Sequence, residues 1–388
     1  MHISQKAESI VPSEIRIMSV ECDRVGGINL AQGICDTPTP DVVRRAAERA
    51  IAEGKNQYVR IDGIAPLRRA IADKLRRYNG IDADVEREII VTSGSTGGYY
   101  AAALALLNAG DEVIVFEPFY GYHLNTLRAI GCVPVVVRTQ SPDWRLDLDA
   151  IKKAMTKKTR ALLVNSPANP SGKVFSREEW EFIAQLAVER DLFVFSDEIY
   201  EYFLYDGARH ISPATLPGMR ERTITVSGVS KTFSVTGWRI GYVSCDARWK
   251  QAIGYFHDLN YICAPSPLQY GVLAGMEQLG DDFYAELATD YQKKRDLLCE
   301  ALTTAGLTPS VPQGAYYVLA DVSSLPGGNS MERAMFLLEN AGVAAVPGAP
   351  FFAEGRGEMQ LRFCFAKTDN DLAEACRRLH AFRGVAAR

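Results

Sequence analysis

With 388 residues, 47% of them hydrophobic and 23% charged, the chain has the make-up of an ordinary globular protein and the length for two or three domains. Its 43 basic and 47 acidic residues are mixed along the sequence, which excludes a basic face for nucleic acid and a polybasic membrane anchor. Small-molecule chemistry is what this balance leaves.

At the start, Met1 to Met18 alternates charged and apolar residues and lacks a basic segment followed by an apolar run, so no secretory signal is expected. Apolar stretches are interrupted by Gly, Asp or Pro well before membrane-spanning length. The eight cysteines are scattered and form no C-x-x-C pair. That pattern predicts buried free thiols in a reducing cytoplasm and no metal centre.

From about residue 45 to 245, short β-branched or aromatic runs alternate with amphipathic stretches. The runs are Glu88–Ser93, Asp111–Phe116, Val133–Arg138, Ala161–Asn165, Leu192–Ser196, Thr223–Ser227 and Ile240–Ser244. They are apolar on both faces, as strands covered by helices on both sides must be. Arg177–Ala187 is one of the intervening helical patterns. After Cys245 the pattern changes to a long helix near Asp282–Ala305, strands near Ala315–Asp321 and Gln360–Phe365, and a last helix near Asp371–Phe382. The expected fold is α/β: a large domain with a mostly parallel, doubly wound seven-stranded sheet, plus a smaller α+β domain. The expected division is an N-terminal segment, 1–44, packing with the small domain, a large cofactor-binding domain, 45–281, and a small C-terminal domain, 282–388.

In an open parallel sheet, ligands bind beyond the carboxyl ends of the strands. Thr92-Ser-Gly-Ser-Thr-Gly-Gly98 follows one strand and opens an apolar helix, so small residues and free N–H groups at a helix start can cradle a phosphate, with Ser95 and Thr96 as the main donors. The spacing is neither a P-loop nor G-x-G-x-x-G. Asp197 ends another strand, with Tyr200 three residues on; a carboxylate there needs a cationic partner or hydrogen bonds. Lys231 lies just past a third strand among hydroxyls and glycines, with Arg239 eight residues on. Burial there would lower its pKa and free the amine as nucleophile or base. In Asn165–Gly172 two prolines stiffen a loop that holds Asn169. A plain turn, a structural ion pair and a solvated lysine each explain one of these segments alone. Together they supply a phosphate cradle, an acid, an amine and an amide along one sheet edge, which are the needs of pyridoxal phosphate.

The order of motifs carries a resemblance. Asn56–Gly63, the Ser-Gly-Ser-Thr-Gly loop, Pro118-Phe-Tyr120, Asn169-Pro-Ser-Gly172, Asp197-Glu-Ile-Tyr200, Ser230-Lys231 through Gly237-Trp-Arg239, and Leu361–Phe365 succeed one another as in the fold-type I, class I/II aminotransferases, which the chain resembles from about residue 12 to 385. The resemblance implies pyridoxal 5′-phosphate bound to Lys231 as a Schiff base, with the lysine later shuttling a proton at the substrate α-carbon. It implies Asp197 on the pyridinium nitrogen, Tyr200 and Asn169 on the phenolic oxygen, Tyr120 stacked on the ring, and Arg239, Ser95 and Thr96 on the phosphate. Tyr58 would reach the phosphate of a partner subunit, so a homodimer with shared sites is expected. Arg362 would take the substrate α-carboxylate, and Gly33, in Leu30-Ala-Gln-Gly-Ile34, would belong to the segment that closes over substrate.

Two departures stand out. Gly228 occupies the position, three before the lysine, where relatives often have a phosphate-binding serine; Ser227 or another group would have to compensate. Thr96 stands where some aspartate-specific relatives have a lysine, which argues against a strict aspartate enzyme of that type. The expected activity is transamination between an L-amino acid and a 2-oxo acid, with glutamate and 2-oxoglutarate as one pair. Tyr261–Gln269 and Val346–Phe352 look like relatives acting on aromatic, glutamine or kynurenine-type substrates, and aspartate stays open. A carbon–sulfur β-lyase would use the same cofactor residues. A cofactor-sensing transcription factor fits poorly, because only some forty residues precede the aminotransferase-like region and the chain is acidic.

Overall fold

Period-two burial decides the architecture. In the computed structural model, which describes residues 2, 14–353 and 355–382, consecutive strand residues enter different cores. The rest of 1–13 and 383–388, which the sequence places at the outer ends of its first and last segments, lie outside the described residues.

The strands in chain order are β1 (Ile28–Asn29), β2 (Ile89–Ser93), β3 (Glu112–Glu117), β4 (Val133–Gln140), β5 (Arg145–Leu146), β6 (Thr159–Asn165), β7 (Phe193–Asp197), β8 (Thr223–Gly228), β9 (Ile240–Ser244), β10 (Thr308–Ser310), β11 (Tyr317–Asp321), β12 (Val343–Ala344), β13 (Val346–Pro347) and β14 (Gln360–Cys364). The large sheet has the order β2-β9-β8-β7-β6-β3-β4-β5. Pairs from β4 through β3, β6 and β7 to β8 are parallel, whereas β9 runs against both β8 and β2. All seven expected strands are present. An eighth, the two-residue β5, pairs antiparallel with β4 at the sheet's edge, too short for periodicity to reveal it.

Ile90, Val113, Val115, Ala161, Leu163, Phe195, Ile224 and Val243 face one side, against the helices Gly94–Leu106, Gly121–Ala129 and Ala247–Tyr261. Their neighbours Ile114, Phe116, Leu162, Val164 and Val194 face the other, against Leu148–Ala154 and Arg177–Glu189. Ile89, Val91, Ile240 and Tyr242 complete that second face beneath Ala65–Lys74 and Ser266–Gln278. Each such fully buried aliphatic side chain contributes roughly 2 kcal/mol of transfer free energy. Helix Arg177–Glu189 begins with a capping box: Ser176 Oγ accepts from Glu179 N at 3.2 Å while Ser176 N donates to Glu179 Oε2 at 2.9 Å.

The smaller part is an antiparallel sheet, β10-β11-β14-β13, packed on Asp281–Thr304, Ser330–Ala341 and Asp369–Ala381. The N-terminal helix Glu14–Val25 packs into the same core through Met18 and Cys22. β1 pairs parallel with β12, Ile28 opposite Val343.

Candidate active site

The strand directions bring distant residues to one edge. β2, β6, β7 and β8 end there at Ser93, Asn165, Asp197 and Gly228, and the reversed β9 begins there, just after Arg239. A cavity of about 540 Å³ opens at this edge, and Gly33, Ser95, Thr96, Tyr120, Asn169, Asp197, Tyr200, Lys231, Arg239 and Arg362 all line it. Tyr58 does not: it is 78% exposed on the loop before Asp62.

On one wall the helix Gly94–Leu106 starts directly after β2, so its first N–H groups have no intrahelical acceptor. Gly94 has φ +69°, and a Cβ there would collide with the Arg239 guanidinium. Arg239 itself is left-handed, φ 55°, with Nη1 donating to Thr236 O at 2.9 Å. The wall is a backbone shelf with a guanidinium over it, open to an anion.

Asp197 is held from three sides. Asn165 Nδ2 donates to its carbonyl at 3.0 Å, Ile199 N donates to Oδ1 at 3.2 Å, and His123 Nε2 lies 2.9 Å from Oδ2. The Tyr120 ring meets the His123 ring edge-on, with centroids 5.3 Å apart. Asn165 Oδ1 in turn accepts the backbone N–H of Asn169 at 2.7 Å. Tyr200 is buried, its hydroxyl 3.1 Å from that of Tyr317. Burial raises the pKa of both phenols, Tyr317 to about 12, so both stay protonated donors at neutral pH.

Among the described residues Lys231 Nζ reaches only Gly33 O, at 3.5 Å, and sits 6.0 Å from the Tyr200 ring centre. Burial pushes its pKa down, and the positive charges of Arg239 and Arg362 act in the same direction. Arg362, on β14, is 1% exposed and stacks 4.3 Å from the Tyr317 ring centre. Its Nη1 donates to Asn169 Oδ1 at 3.0 Å and its Nη2 to Ala31 O at 2.8 Å, while buried Nε has no partner among the described residues. Arg362 and Lys231 thus tie the Ala31–Gly33 turn to the cavity.

Ser227 is not the substitute for a serine at 228. Its Oγ donates to Glu201 Oε1 at 2.8 Å, away from the cavity, whereas Ser230 lines it. A Cβ on Gly228 would lie 2.9 Å from Gly241 Cα, so the glycine lets β8 and β9 close up.

Ser227 belongs to a second, closed polar cluster behind the same edge. Lys74 Nζ binds Glu201 Oε1 at 2.5 Å, Asn79 Oδ1 at 2.8 Å and Tyr242 OH at 3.0 Å. Asn79 Nδ2 donates to Glu201 Oε2 at 2.8 Å. Glu198 accepts from Ser196 Oγ and Ser212 Oγ, each at 2.8 Å, with His210 Nε2 at 2.7 Å. Burial alone would raise the Glu201 pKa, but Lys74, His210 and Asn79 bring it below the usual value. Glu198, Glu201 and His210 lie close enough together to ligate a cation, yet protein donors already fill their oxygens.

His123, Asn165, Tyr317, Ser230 and Arg16 also line the cavity and were not singled out from sequence. Asn165 and Ser230 stand inside motifs already noticed, which was the available signal. His123, Tyr317 and Arg16 carry none.

A reversed strand in a parallel sheet, an anion shelf, a depressed lysine and a held carboxylate on one edge define an α/β enzyme of amine and anion chemistry. The family model for aminotransferase class I and II matches residues 25–379, and the chain belongs to this family. The solved structure of N-succinyldiaminopimelate aminotransferase from Mycobacterium tuberculosis superposes with a TM-score of 0.94 at 37% identity, covering 98% of this chain and 100% of that one. Aspartate aminotransferase of Pyrococcus abyssi is 36% identical over 98% of this chain and 97% of its own length. The kynurenine–oxoglutarate transaminase of Dictyostelium discoideum is 33% identical, with 96% and 94% covered. The protein is an aminotransferase, which sets aside the β-lyase alternative.

Proposed function

We propose that the cavity holds pyridoxal phosphate on Lys231 and moves an amino group between an L-amino acid and a 2-oxo acid, with glutamate and 2-oxoglutarate as one pair. The observation that carries this reading is the depressed, nearly partnerless amine of Lys231 sharing one cavity with Asp197 and the shelf at Gly94. When bound, the cofactor supplies an aldehyde for that amine and an electron sink for the bond broken at the substrate α-carbon.

The chain's residues divide the remaining work. Arg239, Ser95 and Thr96 hold the phosphate at the helix start. Asp197, oriented by His123 and Asn165, keeps a proton on the ring nitrogen. Tyr200 and Asn169 donate to the phenolic oxygen; Asn169 has Nδ2 to spare because its Oδ1 is committed to Arg362. Tyr120 stacks against the ring. Arg362 takes the α-carboxylate, with Gly33 beside it, and Lys231, whose pKa desolvation lowers, moves the proton at the α-carbon.

The same reading treats 45–281 as the cofactor-binding domain, 282–388 as the small domain, and 1–44 as the segment joining the small domain over substrate; the β1–β12 pairing supports it. It also calls for a homodimer. Tyr58, Tyr255 and Leu259, 78%, 58% and 63% exposed, leave apolar surface uncovered, and Tyr261 packs on Gly97 in the helix that follows the shelf. A second copy covering it would bring Tyr58 to the neighbouring site. The reading further expects a cytoplasmic enzyme without membrane or nucleic-acid partners; all eight cysteines are free thiols, the state a reducing compartment maintains.

The test is the visible spectrum of the purified holoenzyme before and after adding single amino acids, with the 2-oxo acids released identified. The expected result is loss of the band and release of the 2-oxo acid matching each donor. Lys231→Ala should lower turnover at least about 10⁴-fold. Pyruvate and ammonia from cysteine conjugates, without transamination, would contradict the reading.

A further inference from the structure

The cavity's charges leave one cation unassigned. Its lining carries Arg16, Lys231, Arg239 and Arg362 against a single carboxylate, Asp197. On the functional reading above, on which this inference rests, Arg239 meets the phosphate, Arg362 the α-carboxylate, and Lys231 the aldehyde. Asp197 is committed to the ring nitrogen and to His123. Arg16 has nothing to meet. It sits in the first turn of the helix Glu14–Val25, exposed, and no described carboxylate pairs with it.

Its position indicates which end of the substrate it faces. Arg16 and Ser19, three residues apart and so on one face of that helix, both line the cavity. Asn29 Nδ2 donates to Ser19 Oγ at 3.1 Å, and Asn29 Oδ1 accepts the N–H groups of Ala31 and Gln32 at 3.0 and 3.1 Å. Ala31 O is the acceptor of Arg362. The helix is thus fastened to the turn that touches the substrate-carboxylate arginine. Gln32, Tyr122 and Thr126 add polar groups to the lining and no acid.

We propose that Arg16 receives the distal carboxylate of a dicarboxylic substrate, glutamate or 2-oxoglutarate, and thereby sets the preference for an acidic side chain. A buried arginine at this place would exclude every neutral partner substrate. An exposed one on a long flexible stem pairs with an acidic side chain and turns to water when a neutral one is bound.

Glutamate and norvaline share their carbon chain and differ in the distal carboxylate, so they isolate this contact. In Arg16→Gln holoenzyme, kcat/KM for glutamate should fall about tenfold or more, the scale of one charge-assisted pair, while norvaline changes less than about twofold. Calorimetric binding of glutarate should weaken by the same factor and that of pentanoate should not, a readout independent of turnover. Arg16→Lys should restore part of the glutamate activity. Equal effects on glutamate and norvaline, or none on either, would overturn the assignment. A wild-type enzyme that transaminates neutral amino acids but not glutamate also overturns it and leaves the aminotransferase reading intact. Failure with every amino acid would remove both.

Discussion

Two polar clusters sit on the same sheet edge a few residues apart, and they are built on opposite rules. Around Glu198 and Glu201 every charge is answered inside the protein by Lys74, His210, Asn79 and three serines. Around Lys231 the cations outnumber the carboxylates, the lysine touches little, and a buried Arg362 N–H is unsatisfied. The first cluster is closed by the protein's own donors. The second is completed only by anions from outside. Burial and ionisable residues do not mark a site by themselves; an unbalanced charge among them does.

Four perturbations sharpen the contrast, beginning with the largest effect on folding. Lys74→Met strands the buried Glu201 and should cost roughly 3–5 kcal/mol in denaturant unfolding, most of it recovered when Glu201→Gln is added. Arg239→Gln in cofactor-free protein should cost less than about 1 kcal/mol, since Arg239 is exposed and pairs with no described carboxylate. Equal losses in the two would erase the distinction.

His123→Phe removes the side-chain partner of Asp197 while keeping an aromatic ring beside Tyr120. It should lower kcat/KM about 10- to 100-fold, the worth of one hydrogen bond to a charged group, with a shifted pH profile and little change in melting temperature. An unchanged profile would show that His123 only fills space.

The subtlest effect concerns Lys231 itself. Because its folded pKa is depressed, the unfolded chain holds more protons between that value and the ordinary 10.5. Stability therefore rises with pH across this interval. Cofactor-free Lys231→Met should melt above the wild type at pH 7, with the gap closing as pH approaches the ordinary lysine value. A gap that does not narrow would mean the amine is not strained by burial.

These clusters also show how far a sequence can be read. Strands such as Ile114–Phe116 and Leu162–Val164 are legible because alternate burial on two covered faces leaves unbroken apolar runs. Asp197, Lys231 and Ser95 are legible because a polar residue that ends such a run stands at the binding edge. His123 was not, since its partner lies 74 residues away and a histidine two residues into a helix looks like any other. Lys74 and Asn79 were equally silent. Lys74 precedes and Asn79 ends the π-turn Leu75–Asn79, whose five-residue spacing lets Lys74 Nζ reach Asn79, and no local pattern announces that turn. Ser227 was misread because neighbouring strand residues face opposite sides, so one position decides between the cavity and the closed cluster.

Where β8, β9 and the helix start meet, Gly228, Gly241 and Gly94 leave no room for a Cβ. The shelf's dimensions come from main-chain spacing. A cradle shaped by side chains must freeze their rotamers when its ligand arrives, at about 0.5–1.5 kcal/mol for each one immobilised. The main-chain part of this one has no rotamers to freeze, so its share of the ordering cost was met when the sheet folded, and only the Arg239, Ser95 and Thr96 side chains are left to order around an anion.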